Sequence, residues 1–161
     1  MKKIQFYLSA AILGSGLLLG SCSKEQGCTN ACAKNYNAEA EEDDGSCVYP
    51  TISENMVGTW AITGVTESVR DYEGVITTNN QYDSGTAIFN NDGTGSFITN
   101  GEVFYITWTA ANSAVSITVE DENEVYTVTT NTCTKQVWKA TSTETVEGLT
   151  ETFNTEVTLT K

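Results

Sequence analysis

No histidine occurs among the 161 residues. Its absence removes the general base of Ser-His and Cys-His pairs and the commonest nitrogen ligand of zinc. No G-x-S-x-G turn or phosphate-binding glycine loop is present either. Neighbouring acids such as Asp121 and Glu122 fall in a turn, where solvated carboxylates are the default. An enzyme is therefore not expected. Basic residues are scarce: eight lysines and arginines, with Arg70 the one arginine, stand against 21 acids for a net charge of −13. No basic patch exists to meet nucleic acid, and anionic lipid headgroups offer such a chain no attraction. Proline occurs once, at Pro50. Outside Ile4 to Gly20 no apolar run approaches the roughly 20 residues that cross a bilayer. Apart from a turn at 52–57, no segment shows the period of an amphipathic helix.

What is present begins with an address. Met1-Lys2-Lys3 is a basic start, "IQFYLSAAILGSGLLLG" (4–20) is an uncharged and mostly apolar run, and small residues precede Cys22. These are the parts of a secretory signal peptide. "LGSC" (Leu19 to Cys22) resembles the lipobox of bacterial lipoproteins, whose cysteine is acylated and becomes the new N-terminus. The resemblance implies a removed signal at 1–21, a lipid such as palmitate on Cys22, and a mature chain 22–161 of 140 residues. Loss of Lys2 and Lys3 takes the net charge to −15. Each buried methylene contributes about 0.8 kcal/mol, so two or three acyl chains hold firmly to a membrane. The polar tether 22–26 contains Lys24-Glu25, a partial match to the surface-export signal near the lipidated cysteine in Bacteroidota-type bacteria. The expected location is the outer membrane, on its outer or its periplasmic face, with covalent lipid as the membrane contact.

Composition changes at Pro50, which fixes its own φ and disfavours helix at Tyr49. Before it lies a Cys-rich acidic module, 27–50. After it, threonine, valine, asparagine and aromatics dominate through 51–161, a strand-favouring mix. "AVSITVE" sets Val115, Ile117 and Val119 on one face, "EVFYITW" sets Phe104, Ile106 and Trp108 together, and "TFNTEVTLT" aligns Phe153, Thr155, Val157 and Leu159. Such alternation is period two. Turn signals separate the runs at 90–95, 99–102, 120–124 and 146–151, Asn-Asp-Gly at 91–93 being a hairpin signal. About eight strands follow, near 58–69, 84–90, 94–100, 102–110, 113–120, 124–131, 134–143 and 151–160. Short connections make sequence neighbours antiparallel neighbours. The expected fold is all-β: a single antiparallel up-and-down barrel, with a β-sandwich as the alternative.

"ENMVGTWAITGV" (54–65) resembles the opening of lipocalin-like domains, in which a short turn leads into G-x-W on the first strand. Gly58 and Trp60 hold the signature positions. The hairpin "AIFNNDGTGSFI", the stretch "WTAANSAVSITV" and the ending "EVTLTK" are also similar to lipocalin-like domains of small bacterial lipoproteins. The resemblance covers about 55–161 and implies that Trp60 plugs the closed end of a barrel able to take a small ligand. Two departures stand out. The family's arginine on the last strand has no counterpart here, and its C-terminal helix is missing.

The module "GCTNACAKNYNAEAEEDDGSC" (27–47) resembles a short unit of envelope proteins in the same bacteria, of the form G-C-T-D-P-x-A-x-N-Y-N-P-x-A-x-x-D-D-G-S-C. Its outer cysteines flank a compact loop, which implies a disulfide between Cys28 and Cys47. Cys32 and Cys133 then remain, as a staple between module and barrel or as free or intermolecular thiols. Counted without the resemblance, the four cysteines allow three pairings. An oxidising envelope favours disulfides over a zinc site. Asn35, Asn37, Asp43 and Asp44 are hard-oxygen candidates for Ca²⁺, although their order is not that of a D-x-D-x-D-G calcium loop. The bland reading is a solvated acidic knob acting as spacer, with no cofactor.

Two functions fit. The first is a monomeric binding module whose barrel takes a small apolar ligand, with Trp60, Trp108, Trp138, Phe89, Phe97, Phe104 and Phe153 available to line it. Taken singly, each aromatic is better accounted for by ordinary core packing. The second is a structural or protein-interaction surface lipoprotein with a filled barrel.

Overall fold

Alternating side chains produce strands wherever a tight turn can follow them. In the computed structural model, which describes residues 24–81 and 84–161, nearly the whole Thr/Val-rich region is strand. The elements are β1 (Gln26–Gly27), β2 (Glu42–Asp43), α1 (Ile52–Met56), β3 (Gly58–Arg70), β4 (Ile76–Gln81), β5 (Gly85–Phe89), β6 (Thr94–Thr99), β7 (Glu102–Ala111), β8 (Ala114–Val119), β9 (Glu122–Asn131), β10 (Lys135–Val146) and β11 (Leu149–Thr160). The expected signal peptide and Cys22 lie outside the described residues.

Strand β3 and strands β5 to β11 pair antiparallel in chain order, and β11 returns to β3. That last pairing runs from Ala61 opposite Thr160 to Arg70 opposite Thr152. It closes an eight-stranded barrel and removes the sandwich alternative, because one continuous sheet encloses the core. β4 is an extra strand. It lies along the far half of β3, from Val65–Gln81 to Arg70–Ile76, while β5 takes the near half.

The hairpins are short because the right residues sit at the corners. Asn100-Gly101, Asn112-Ser113, Glu120-Asp121 and Glu147-Gly148 are two-residue loops between paired strand ends. Each has its first residue at φ between 52° and 55°, the left-handed conformation that matches strand twist. Gly95 on β6 serves a different need. A Cβ there would run into the Ile88 carbonyl oxygen of β5, so the close approach of these strands depends on glycine.

Inward residues of every barrel strand meet in one core with Met56, Trp60, Phe89, Trp108, Val115, Trp138 and Leu159. Phe89 stands at its centre, edge-on to Phe97, Trp108 and Trp138 with ring centroids 6.1, 5.6 and 5.7 Å away. The faces follow the alternation: Ile106 and Trp108 are buried, whereas Tyr105 between them and the turn is 80% exposed.

Strand lengths are unequal, and this shapes the molecule. β3, β10 and β11 have 13, 12 and 12 residues, against six in β6 and in β8. The pairing of β9 with β10 covers only Thr127–Asn131 against Gln136–Lys139. Beyond it the two strands part. The long strands, with β4, carry a sheet past the barrel rim on one side, and the rim is open on the other. The turn expected at 52–57 is a helix, α1. Thr51 caps it by accepting from Glu54 N, and the Glu54 carboxylate accepts from Thr51 N at 2.9 Å, a reciprocal capping box.

Candidate functional site

The two ends of the barrel have different chemistry. At one end α1 lies across the opening, and Gly58, at φ 121°, turns the chain from helix into β3. Trp60, fully buried, donates its indole N–H to the Met56 carbonyl at 2.7 Å. The Lys161 ammonium sits 4.3 Å from the centroid of the Trp60 ring and donates to the Asn55 carbonyl at 3.1 Å. Burial holds its pKa below the usual lysine value. Lys161 thus supplies the cation over the signature tryptophan that the single arginine, Arg70 at the far end of β3, does not. Around them Asn55 Nδ2 donates to Asn131 Oδ1 and to the Thr132 carbonyl at 2.7 and 2.8 Å. Gln136 donates to Asn131 Oδ1 at 3.1 Å and accepts from the Trp138 indole at 2.8 Å. Among the described residues no buried side-chain polar atom lacks a partner. This end is sealed.

The N-terminal module docks on the sealed end. Cys28 is joined to Cys47, and Cys32 to Cys133 in the β9–β10 turn, across a sequence separation of 101. Lys34 pairs with Glu54 of α1 at 2.5 Å. The Glu54 carboxyl is lowered to about 2, first by the bond from Lys34 and then by its cap bonds to Thr51.

The calcium candidates have internal partners. Asn35 donates to the Ser46 carbonyl and accepts from Val48 N, both at 2.7 Å, closing the loop. Asn37 accepts from Glu39 N at 3.0 Å. Asp43 accepts from Gly45 N at 2.7 Å and from the Thr29 hydroxyl at 3.0 Å, and Asp44 from Ser46 N at 2.9 Å. Gly45 N and the Thr29 hydroxyl hold Asp43, and the Ser46 side chain and then its N–H hold Asp44, below the ordinary carboxyl value. Among the described residues, the acids and cysteines close enough to share an ion are Cys28, Asp43 and Cys47, and both sulfurs are in the disulfide. The arrangement is that of a loop braced by its own side chains.

At the other end, a cavity of about 390 Å³ opens inside the barrel. Its inner part is apolar: Ile62 and Leu159 come from the two strands that close the barrel, and Trp138 faces them from β10. Val65, Val157, Phe97 and Phe104 form the walls, Phe104 being 40% exposed at the rim. Thr99, Thr155, Tyr126, Glu67 and Glu124 supply the polar atoms. Tyr126 donates to Glu124 Oε2 at 2.5 Å. Burial first, then that bond and the charges of Glu124 and Glu67, push the phenol well above its ordinary value. Tyr126 therefore stays protonated and fixed as a donor. A broader hollow of about 500 Å³ lies beside α1, between Pro50–Ser53 and Ala110–Asn112, but among the described residues no aromatic or charged side chain lines it. Specific small-molecule sites combine apolar walls with a few convergent polar groups, which points to the barrel cavity.

Of the aromatics singled out in the sequence, Trp138, Phe97 and Phe104 reach this cavity. Trp60, Trp108 and Phe89 are core, and Phe153 lies half-buried on β11 outside the lining. Glu67, Glu124 and Tyr126 were not singled out. The signal available for them is alternation alone: Glu124, Tyr126 and Val128 share one face of β9, and Val65 and Glu67 one face of β3. Comparison with protein-family models, with curated proteins and with solved structures finds no match to this chain.

Proposed function

We propose that this protein is a non-catalytic, lipid-anchored lipoprotein of the bacterial outer membrane whose lipocalin-like barrel binds a small, largely apolar molecule. One observation carries the reading: a cavity of about 390 Å³ with aromatic and aliphatic walls, open at one end of a barrel whose other end is sealed. Such a volume lies within the range of small-molecule sites. The disulfide from Cys32 to Cys133 and the Lys34–Glu54 pair favour a fixed orientation. With the tether entering through the module at the sealed end, the mouth points away from the membrane. The module then acts as a rigid spacer, and acyl chains on Cys22 as the anchor.

The alternative, a surface protein recognising another protein, draws on a different observation. The sheet beyond the rim ends in exposed Tyr72, Val75, Ile76, Val146 and Leu149. Native mass spectrometry of the mature protein, purified gently from its own envelope, separates the two readings. An additional mass beyond the acyl groups, released on denaturation, is the expected result. A bare protein mass, with neutral and cationic apolar probes also failing to bind, favours the protein-interaction role.

A further inference from the structure

The charged groups among the described lining of the cavity are all of one sign. Among the described residues its lining includes two carboxylates, Glu67 and Glu124, and no lysine or arginine. Glu124 is tied to Tyr126, while the Glu67 carboxylate has no hydrogen-bond or ion-pair partner among the described residues. Both acids lie at the mouth, on strands whose inner residues continue downward as Val65 and Ile62 on β3 and as Tyr126 and Val128 on β9. Acid at the rim over an apolar floor is a polarity gradient along one axis. The walls add aromatic faces, and Phe97, Phe104, Tyr126 and Trp138 are the side chains against which a cation gains further attraction.

A fatty-acid carboxylate seated tail-down would bring its charge to Glu67 and Glu124 with no cation to answer it. The phenol of Tyr126 is not free to help, because its proton is already given to Glu124. The whole chain, at −13, repels anions before they arrive.

We infer that the barrel cavity is selective for cationic amphiphiles, with an apolar or aromatic body against Trp138 and Leu159 and an ammonium group at the rim between Glu67 and Glu124. This rests on the small-molecule reading of the cavity given above and names its ligand class. Both carboxylates are solvent-exposed, so the selectivity is sensitive to screening.

The test uses the mature protein and three probes with one ten-carbon tail: decylamine, decanol and decanoate, each below its micelle concentration, titrated by calorimetry near pH 7. The expected order is decylamine tightest, decanol next and decanoate weakest, with decylamine over decanoate by about tenfold or more in low salt. That ratio should shrink in high salt, where the Debye length is about 3 Å. In the Glu67→Gln/Glu124→Gln double variant, the ratio of decylamine to decanol affinity should fall to about one. Retained decanol binding also reports that the variant is folded. Decanoate binding as well as or better than decylamine overturns the inference while leaving a small-molecule barrel intact. So does a decylamine preference that survives the double variant. Failure of all three probes overturns the binding reading itself, and the inference with it.

Discussion

At the sealed end, Asn55, Asn131, Gln136 and Lys161 hydrogen-bond around two buried tryptophans, and a disulfide and an ion pair clamp a second unit over them. At the open end the same strands carry Glu67, Glu124, Tyr126 and a partly exposed Phe104 around empty volume. Strand β9 shows the change within ten residues, running from Glu124 and Tyr126 at the rim to Asn131 in the seal. Polar residues occur at both ends. In the seal each finds a protein partner, as buried polar groups must. At the rim Tyr126 bonds to Glu124, while Glu67 faces solvent. A barrel can therefore concentrate its stability at one end and leave the other open.

The contrast predicts unequal responses to truncation. Trp60→Ala removes a fully buried ring and its bond to Met56, and should cost about 3–5 kcal/mol in urea unfolding. Phe104→Ala, at the rim, should cost well under half as much while weakening binding of an apolar probe. Equal losses at the two sites would erase the distinction.

The staple should come next. Cys32→Ser with Cys133→Ser opens a link spanning 101 residues. The chain-entropy picture gives a loss of about 2–5 kcal/mol. The loss should appear in the unfolding midpoint, with ligand affinity unchanged, because the bond lies at the sealed end. A fall in affinity without a fall in stability would place the module's role at the cavity.

Protons distinguish the ends as well. Glu54 is lowered from 4.5 to about 2 in the fold. The stability it contributes is present above about pH 4.5 and is lost as pH falls toward 2. Glu54→Gln should flatten the acid limb of a thermal stability profile in that window. Part of the slope should remain, because hydrogen bonds also lower Asp43, Asp44 and Asp92. An unchanged acid limb would mean that the helix–module contact is not formed in solution. Tyr126, at the rim, has the opposite sign. Its raised pKa contributes stability that is present below pH 10 and lost as pH rises through the folded value. In a spectrophotometric titration of the folded protein, Tyr126→Phe should leave the phenolate rise near pH 10 at full amplitude. A drop equal to one tyrosine would show that its hydroxyl is not shielded.

The sealed end was far more legible in the sequence than the open one. Gly58 and Trp60 announced the seal, and the eight main strands lie within a few residues of the alternating runs, since each run has one buried and one wet face. β4 was not foreseen because "ITTNNQ" has a single apolar residue and no alternation; backbone pairing to β3 makes it a strand. The helix at 52–56 is legible only as a turn because five residues cannot display a helical period, and its capping box decides the matter. Lys161 is not legible as that cation, because the sequence shows only that the last strand lacks an arginine, whereas the cation is a lysine one residue after β11. The cavity was hidden for a different reason. Alternation reports which face a residue takes, but not how far along the barrel packing stops. That limit is set by unequal strand lengths and by the parting of β9 from β10, both properties of register.

The most direct measurement is binding of a neutral apolar dye, Nile red, to the mature protein and to a Val157→Trp variant. Val157 lines the cavity, so an indole there takes up space that a guest requires. Saturable one-to-one fluorescence enhancement is expected with the parent protein, abolished in the variant while its circular dichroism and unfolding midpoint stay close to the parent's. Equal binding by both folded proteins would place the dye elsewhere and contradict a ligand-holding barrel.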